Sequence, residues 1–172
     1  MLQSQIDSYL IIYIIFSRVL ELFLSYRNTK NLLSKGGKEY YSSHYKLIVI
    51  YHLMFVLYFL NLSITFEGIN YKALYFFLLI QLCRFKVISD LGEYWTTRII
   101  VLKNKPLITS GFYRYLRHPN YLIVLIEIIL VSLVFKNYFA LIIFTFIKII
   151  LLSVRIYFEE KANSNRRKKF SN

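Results

Sequence analysis

Five apolar runs divide this chain and constrain its fold more than any other feature. They occupy residues 8–24, 47–62, 71–83, 122–135 and 138–154. A soluble domain of this size buries about 70% of its unfolded surface, which is too little to hide five such runs on every side. Some runs are shorter than the ~20 residues that cross a ~30 Å hydrocarbon core, so flanking tyrosine and lysine side chains would reach the interface. The sequence therefore predicts an all-α integral membrane protein, a single domain over residues 1–172 with about five transmembrane helices.

Basic residues are distributed unevenly among the connections. Of the 22 lysines and arginines, 18 lie in three segments, residues 27–46, 84–118 and 155–172. The other connections carry only Lys72 or Lys136, and residues 1–7 carry none. Because lysine and arginine favour cytoplasmic loops, we expect a multi-pass protein of the cell membrane with its N-terminus outside and its C-terminus in the cytoplasm. The net charge of +13 then indicates orientation and attraction to anionic membrane lipids, and nucleic acid is not expected as a partner.

Ionisable side chains inside the runs are costly and usually face a protein interior or cavity. They are Arg18, Glu21, His52, Glu127 and Lys148. Arg18 and Glu21 are three residues apart, so they share a helix face and can neutralise each other. Glu127 has only apolar neighbours at such spacings. It therefore needs a partner from another helix, a proton or a ligand.

Several common catalytic motifs are missing from the sequence. It contains no Gly-x-Ser-x-Gly and no His-Glu-x-x-His, and its five glycines form neither a dinucleotide fingerprint nor a P-loop. His44, His52 and His118 are too scattered to predict a metal site, although a His44–His52 pair with an acidic residue stays open. Cys83 is the single cysteine, so no internal disulfide can form.

Two polar clusters flank the last two apolar runs, which are joined only by Lys136 and Asn137. Such a short connection predicts an antiparallel helical hairpin, and the clusters then return to one membrane face. The first cluster spans residues 111–121 and the second spans residues 155–160. Together they supply arginines, carboxylates and tyrosine rings, a mixture that suits a zwitterion carrying an aromatic base. Pro119 suits the first turn of a helix, whose free N–H groups favour an anion. The alternative is a belt of basic and aromatic residues that sets helix depth.

The connection from about residue 88 to residue 120 is the largest non-membrane stretch within the chain. Its residues 93–102 read Glu-Tyr-Trp-Thr-Thr-Arg-Ile-Ile-Val-Leu. This pattern is compatible with a short strand or with an amphipathic piece lying on the membrane surface. Both remain open at this stage.

The motif Gly111-x-Tyr113-x-x-x-Arg117-His118-Pro119-x-Tyr121, followed across the hairpin by Arg155-Ile156-x-x-Glu159-Glu160, resembles the isoprenylcysteine carboxyl methyltransferase family. Members of this family are integral membrane enzymes that transfer a methyl group from S-adenosylmethionine to a lipidic acceptor. A bacterial branch linked to O-methylation of alkylpyrones is similar over most of the chain. The chain differs from better-known members in two places: Ile123 stands where they often have glycine, and a basic tail replaces an aromatic segment after Glu160.

The resemblance implies an S-adenosylmethionine site built from residues 84–172. By position, its contacts would be Tyr113, Arg117, His118, Pro119, Tyr121, Arg155, Glu159 and Glu160. The acceptor would be an enol or carboxylate oxygen of an alkylpyrone or isoprenoid-type acid. Because such an oxygen is already ionised near neutral pH, alignment with the methyl group would supply most of the catalysis.

The resemblance leaves the acceptor end of the site less specified. Arg98 or Arg84 would orient the acceptor anion, while Glu127 or His52 would line an entrance from the lipid. Arg98 and Glu127 are therefore the candidate catalytic residues, although Arg98 would equally suit a lipid phosphate. Two rival hypotheses remain: an NADPH-dependent membrane reductase with a similar last hairpin, and a non-catalytic membrane scaffold.

Overall fold

The computed structural model describes residues 2–65, 68–103 and 105–170. Within these ranges the chain forms five α-helices and two short β-strands: α1 Leu2–Ser34, β1 Lys38–Tyr40, α2 Ser42–Thr65, α3 Tyr71–Leu91, β2 Ile99–Val101, α4 Pro119–Val134 and α5 Tyr138–Phe170. Three helices contain segments long and apolar enough to cross a membrane, at Ser8–Ser34, Ser42–Leu62 and Tyr138–Arg166, and α4 is a shorter apolar helix. The protein is a helical membrane protein, as expected, with a small sheet added.

Each predicted run lies within a helix or overlaps nearly all of one, but the helices extend beyond the runs. The first run was placed at residues 8–24, whereas α1 continues to Ser34. The last was placed at residues 138–154, whereas α5 continues to Phe170. Hydropathy detects only the part of a helix that is apolar, so the polar extensions of α1 and α5 escaped the prediction.

The α2–α3 and α4–α5 connections lie side by side at one end of the bundle, here named the turn end. The backbone N–H of Asn70 donates to the carbonyl of Val134 at 2.9 Å. Asn137 begins α5 by accepting a hydrogen bond from the Ala140 N–H at 2.8 Å, which satisfies one free donor of the first turn. The predicted antiparallel hairpin of α4 and α5 is therefore present.

Helices α2 and α5 are joined by polar contacts that recur every two turns. Three residues of α2 spaced by seven face two residues of α5 and Asn137 just before it, which are spaced by seven in the reverse direction, so the helices run antiparallel. The pairs are His44 Nε2 with the Leu151 carbonyl at 3.1 Å, Tyr51 O–H with the Phe144 carbonyl at 2.8 Å, and Asn137 Nδ2 with the Tyr58 hydroxyl at 2.9 Å.

The core is aromatic, and much of the outer surface is apolar. Phe55 and Phe59 of α2 pack against Phe144 of α5 with ring centroids 5.1 and 6.4 Å apart. Outside the bundle, Phe23 is 68% exposed and Phe146 is 64% exposed. Such exposure would be unfavourable in water, and it is what a lipid-facing surface requires.

The opposite end of the bundle carries residues 92–118 and is named the loop end. There β1 and β2 pair antiparallel, with Tyr40 opposite Ile99, so part of the ambiguous segment is a strand. Asn28 of α1 fixes the start of the loop: its Nδ2 donates to the carbonyls of Gly92 at 3.0 Å and Trp95 at 2.8 Å. The loop is thereby attached to α1, a helix that is distant from it in the sequence.

Candidate active site

The start of α4 brings the first polar cluster to the loop end. Pro119 is the first residue of the helix, as predicted, and His118 is its N-cap. The His118 side chain makes no capping hydrogen bond, so its ring is free to face α5. His118 stacks on Tyr121, with ring centroids 5.3 Å apart and planes inclined by 7°.

Residues of the second polar segment, 155–160 on α5, contact residues of the first, 111–121, directly. His118 Nε2 lies 2.9 Å from Glu160 Oε1. The Tyr121 hydroxyl donates to Glu159 and accepts from Arg155 Nε at 3.1 Å. These five residues, His118, Tyr121, Arg155, Glu159 and Glu160, form one connected group, which we name the polar cluster.

Charge and burial within the polar cluster are uneven. Arg155 is buried, with 5% of its surface exposed, whereas the side chains of Glu159 and Glu160 are 32% and 31% exposed. The cluster therefore offers a buried cation beside two accessible carboxylates and a pair of stacked rings. This arrangement can bind a ligand that carries both an anionic and a cationic group.

Tyr113 lies beside the cluster on a 3-10 turn, Gly111–Arg114. Burial raises the pKa of its hydroxyl, and the charges of Glu159 and Asp90 raise it further. Asp90 holds the turn in place: its Oδ2 accepts from the backbone N–H of Phe112 at 3.4 Å. A hydrogen bond from Lys86 lowers the pKa of the Asp90 carboxyl, so Asp90 is ionised at neutral pH.

Gly111 permits this turn. Its φ is +58°, a conformation that is costly for other residues. A Cβ at this position would also overlap the Asp90 carboxylate. The glycine of the motif is therefore required by backbone geometry and by the close approach of Asp90, a residue that the sequence did not single out.

Asn120 is a second residue that sequence reasoning missed. Its Oδ1 atom is buried and has no hydrogen-bond partner among the described residues. A buried acceptor without a donor is costly and usually marks a place for a water or a ligand. Its position between Pro119 and Tyr121 was the available signal.

Two other predicted residues make no described hydrogen bond or ion pair with the polar cluster. Arg117 is exposed. Arg98 forms an ion pair with Glu39 of β1 at 3.0 Å, and its guanidinium lies 5.0 Å from the centre of the Tyr45 ring. The described contacts of Arg98 thus connect the small sheet to α2 and do not include the polar cluster.

Glu127 lies in the bundle interior, where it contacts three polar side chains from two other helices. It accepts hydrogen bonds from Arg18 of α1 at 2.8 Å and from Arg84 and Gln81 of α3 at 2.6 and 2.7 Å. Arg84 also binds Glu21, and so does Arg18 at 2.8 Å. These four charged residues form the interior ion network. The ion-pair partners of Glu127 are therefore on other helices, and both ion pairs of Arg84 lie within the network.

His52 and Lys148 form a separate interior pair, with Nε2 and Nζ 2.9 Å apart. His44 instead contacts the Leu151 carbonyl. The two histidines face different partners, so the His44–His52 pair considered from the sequence is not assembled. In the described part of the chain, no group of three or more His, Cys, Asp and Glu side chains is placed to hold a metal ion.

Comparison with known proteins shows the family of the chain. Residues 73–164 match the model of the isoprenylcysteine carboxyl methyltransferase (ICMT) family. The chain belongs to the isoprenylcysteine carboxyl methyltransferase family. It is 32% identical over 160 residues to the uncharacterized protein YpbQ of Bacillus subtilis, covering 89% of this chain and 94% of the relative. It is 30% identical over 155 residues to an uncharacterized protein of Haemophilus influenzae, covering 86% and 89%. No solved structure matches the chain.

ICMT family membership indicates a membrane methyltransferase and favours methyl transfer over the reductase and scaffold alternatives. The matched segment contains the whole polar cluster, the Asp90-held turn and Glu127. Helices α1 and α2 precede it, and they supply Arg18, Glu21 and His52 to the bundle interior.

Proposed function

We propose that this ICMT family member transfers a methyl group from S-adenosylmethionine to an oxygen of a lipidic acceptor. The acceptor class is an alkylpyrone-type enol or an isoprenoid-type acid, in line with the resemblance to the bacterial alkylpyrone branch. The observation that carries the proposal is the polar cluster, in which residues of α4 and α5 that the family motif predicts as donor contacts form one connected group.

The chemistry of the polar cluster fits the methyl donor. Arg155 matches its carboxylate, and Glu159 and Glu160 match its ammonium group. The ring of Tyr121 and that of Tyr113, which lies beside the cluster, match its aromatic base. The unpaired Oδ1 of Asn120 adds an acceptor for an N–H group of the ligand. Glu159 and Glu160 are accessible enough for a ligand to reach them.

The reaction itself needs little acid–base machinery. S-adenosylmethionine supplies an electrophilic methyl group on a sulfonium. A lone pair of the acceptor oxygen forms the new C–O bond while the C–S bond breaks and its electron pair stays on sulfur. The residues of the chain bind and orient the two reactants, and alignment of this kind can supply several kcal/mol of the barrier reduction.

The proposed orientation places the polar cluster at the cytoplasmic face, where the methyl donor is dissolved. The described parts of the basic segments lie at the loop end and would bind anionic lipid head groups there. In this arrangement all five helices cross the bilayer, α3 and α4 as shorter or tilted spans, and the N-terminus lies outside. The acceptor would reach the cluster from the bilayer.

Calorimetric titration of the purified protein in lipid nanodiscs tests the donor site. Wild type should bind S-adenosylmethionine, and Glu159→Gln and His118→Ala should each weaken the affinity at least tenfold. Glu93→Gln is the matched control, since Glu93 is an exposed carboxylate of the loop end paired with Lys35, and its affinity should be unchanged. Wild-type affinity in both cluster variants would refute the proposed site, and binding of NADPH in place of the methyl donor would favour the reductase alternative.

A further inference from the structure

Lys148 is a buried amine with which no carboxylate of the described structure forms an ion pair. It is 1% exposed and lies within the apolar part of α5. Its Nζ contacts His52 Nε2 at 2.9 Å and lies 5.1 Å from the centre of the Tyr51 ring. None of the described ion pairs includes Lys148. Ionisable residues at such depth usually serve a function, because an unpaired charge in a low-dielectric interior is costly.

The neighbouring ion network cannot neutralise Lys148. Arg18 and Arg84 already bind Glu21 and Glu127, so the network alone is balanced. A protonated Lys148 would therefore leave the bundle interior with one positive charge in excess, counting these five residues and a neutral His52. A singly charged anion would restore the balance.

A small cavity lies between the network and the His52–Lys148 pair. Its volume is about 10 Å³, which is the scale of one water-sized group. The polar side chains of its wall are Arg18, His52 and Glu127, and the rest of the wall is apolar. His52 is partly exposed, whereas Lys148 is not. His52 is therefore the accessible member of the pair, and Lys148 is the buried member.

Lys148 lies on the same face of α5 as Arg155 of the polar cluster. Lys148 and Arg155 are seven residues apart, which is two turns of α5 and about 10 Å along its axis. Lys148 lies on the side of Arg155 that faces the bilayer interior. A ligand whose charged end reaches the His52–Lys148 pair would thus lie between the hydrocarbon core and the polar cluster.

We propose that the His52–Lys148 pair, together with the cavity that His52 lines, receives one anionic oxygen of a one-chain amphiphile. The oxygen belongs to a carboxylate or an enolate, and the amphiphile is the methyl acceptor. Lys148 supplies the compensating charge, His52 supplies a hydrogen bond, and the alkyl chain extends into the bilayer. This inference rests on the proposed function, because it assigns the acceptor end of the same reaction. Lys148 and His52 take the role that the sequence gave to Arg84 or Arg98.

Binding of tetradecanoate labelled with ¹³C at its carboxyl carbon tests the inference without any turnover. The full-length protein in detergent should give a bound carboxyl resonance, and methyl tetradecanoate, which has no charge, should not displace it. Lys148→Met keeps the length and apolar stem of the side chain but removes the charge, and it should weaken tetradecanoate binding at least tenfold. Lys72→Met is the matched control, because Lys72 is exposed near the turn end of α3; its binding should equal that of wild type.

The outcomes separate this inference from the donor site. Lys148→Met should bind S-adenosylmethionine within twofold of wild type, so loss of tetradecanoate binding alone supports an acceptor site. Equal tetradecanoate binding by wild type and Lys148→Met would overturn the inference even if the donor site is established. Displacement by lysophosphatidylglycerol as strong as by unlabelled tetradecanoate would also overturn it, since the pair would then be a site for lipid head groups.

A measurement on wild type protects the test against misfolding of the variant. Tetradecanoate carrying a photoreactive diazirine on the carbon next to the carboxyl group should label peptides from residues 42–65 and 138–166. Labelling confined to other parts of the chain would overturn the inference.

Discussion

Replacing Glu127 with glutamine removes one charge from the bundle interior and almost no volume. The Glu127 side chain is 3% exposed and accepts hydrogen bonds from Arg18, Arg84 and Gln81. In the variant, the new amide oxygen can face the two arginines while its NH₂ group faces residue 81. Gln81 then has to turn its own amide, and it loses the hydrogen bond that its Oε1 accepts from Tyr13 at 3.3 Å.

Hydrogen bonding is thus largely preserved in Glu127→Gln, and the cost comes from charge. Arg18 and Arg84 would share one remaining carboxylate, that of Glu21. Breaking a buried ion pair by removing one partner costs about 3–5 kcal/mol, which is roughly a 100- to 4,000-fold change in the unfolding equilibrium. For a chain of this size, the melting temperature should fall by roughly 6–20 °C.

Thermal unfolding in detergent, followed by circular dichroism, measures this effect. Glu93→Gln is the control, since its ion pair with Lys35 is 43–47% exposed and exposed pairs contribute at most about 1 kcal/mol. Adding Arg18→Gln to Glu127→Gln restores the balance of charge in the network and should recover part of the loss. A melting temperature of Glu127→Gln within 2 °C of wild type would refute the view that Glu127 is an ionised partner of both arginines.

Three further predictions concern the loop end. Gly111→Ala should weaken S-adenosylmethionine binding more than Gly92→Ala in calorimetric titrations, since both glycines have positive φ but only a Cβ at Gly111 overlaps Asp90; equal effects would contradict the role of Asp90. A hydrogen bond from Lys86 lowers the pKa of Asp90. The ionised Asp90 carboxylate therefore stabilises the turn fully above the ordinary aspartate pKa, and this stabilisation is lost as pH falls through the lowered pKa. The protection of the 111–114 amides from hydrogen exchange, measured relative to the intrinsic rate at each pH, should accordingly fall in acid, and Asp90→Asn should abolish that pH-dependent fall. Asn28→Ala removes two hydrogen bonds to loop carbonyls and should speed proteolysis within residues 92–118, whereas Ser34→Ala, at the exposed end of α1, should not.

The sequence predicted the parts of this fold that depend on neighbours along the chain. The two-residue connection Lys136–Asn137 and the proline at residue 119 were sufficient to place the α4–α5 hairpin and the start of α4. They also brought His118 near Glu160, because an antiparallel hairpin returns the chain to the level at which it left. Each of these conclusions uses local geometry, and local geometry is what a sequence pattern encodes.

Contacts between distant helices were not predictable in the same way. The i±3 and i±4 rule pairs Arg18 with Glu21 but cannot indicate that Arg84 binds both Glu21 and Glu127. That depends on how α1, α3 and α4 rotate about their axes, which apolar runs without a polar face do not specify. The contacts of α2 with α5 could not be predicted for the same reason. His44, Tyr51 and Tyr58 recur every seven residues, but this spacing does not indicate which helix they face.

The rotation of α4 links the two polar systems of the protein. Tyr121 and Glu127 are six residues apart, so they point about 120° apart around the helix axis. One direction faces α5, where Tyr121 contacts Arg155 and Glu159, and the other faces α1 and α3, where Glu127 contacts Arg18 and Arg84. Since a helix is rigid over two turns, the ion network fixes the angle at which His118 and Tyr121 meet α5. We therefore expect Glu127 to position the polar cluster. Glu127→Gln should then weaken methyl-donor binding, although none of the described hydrogen bonds of Glu127 includes a member of the cluster.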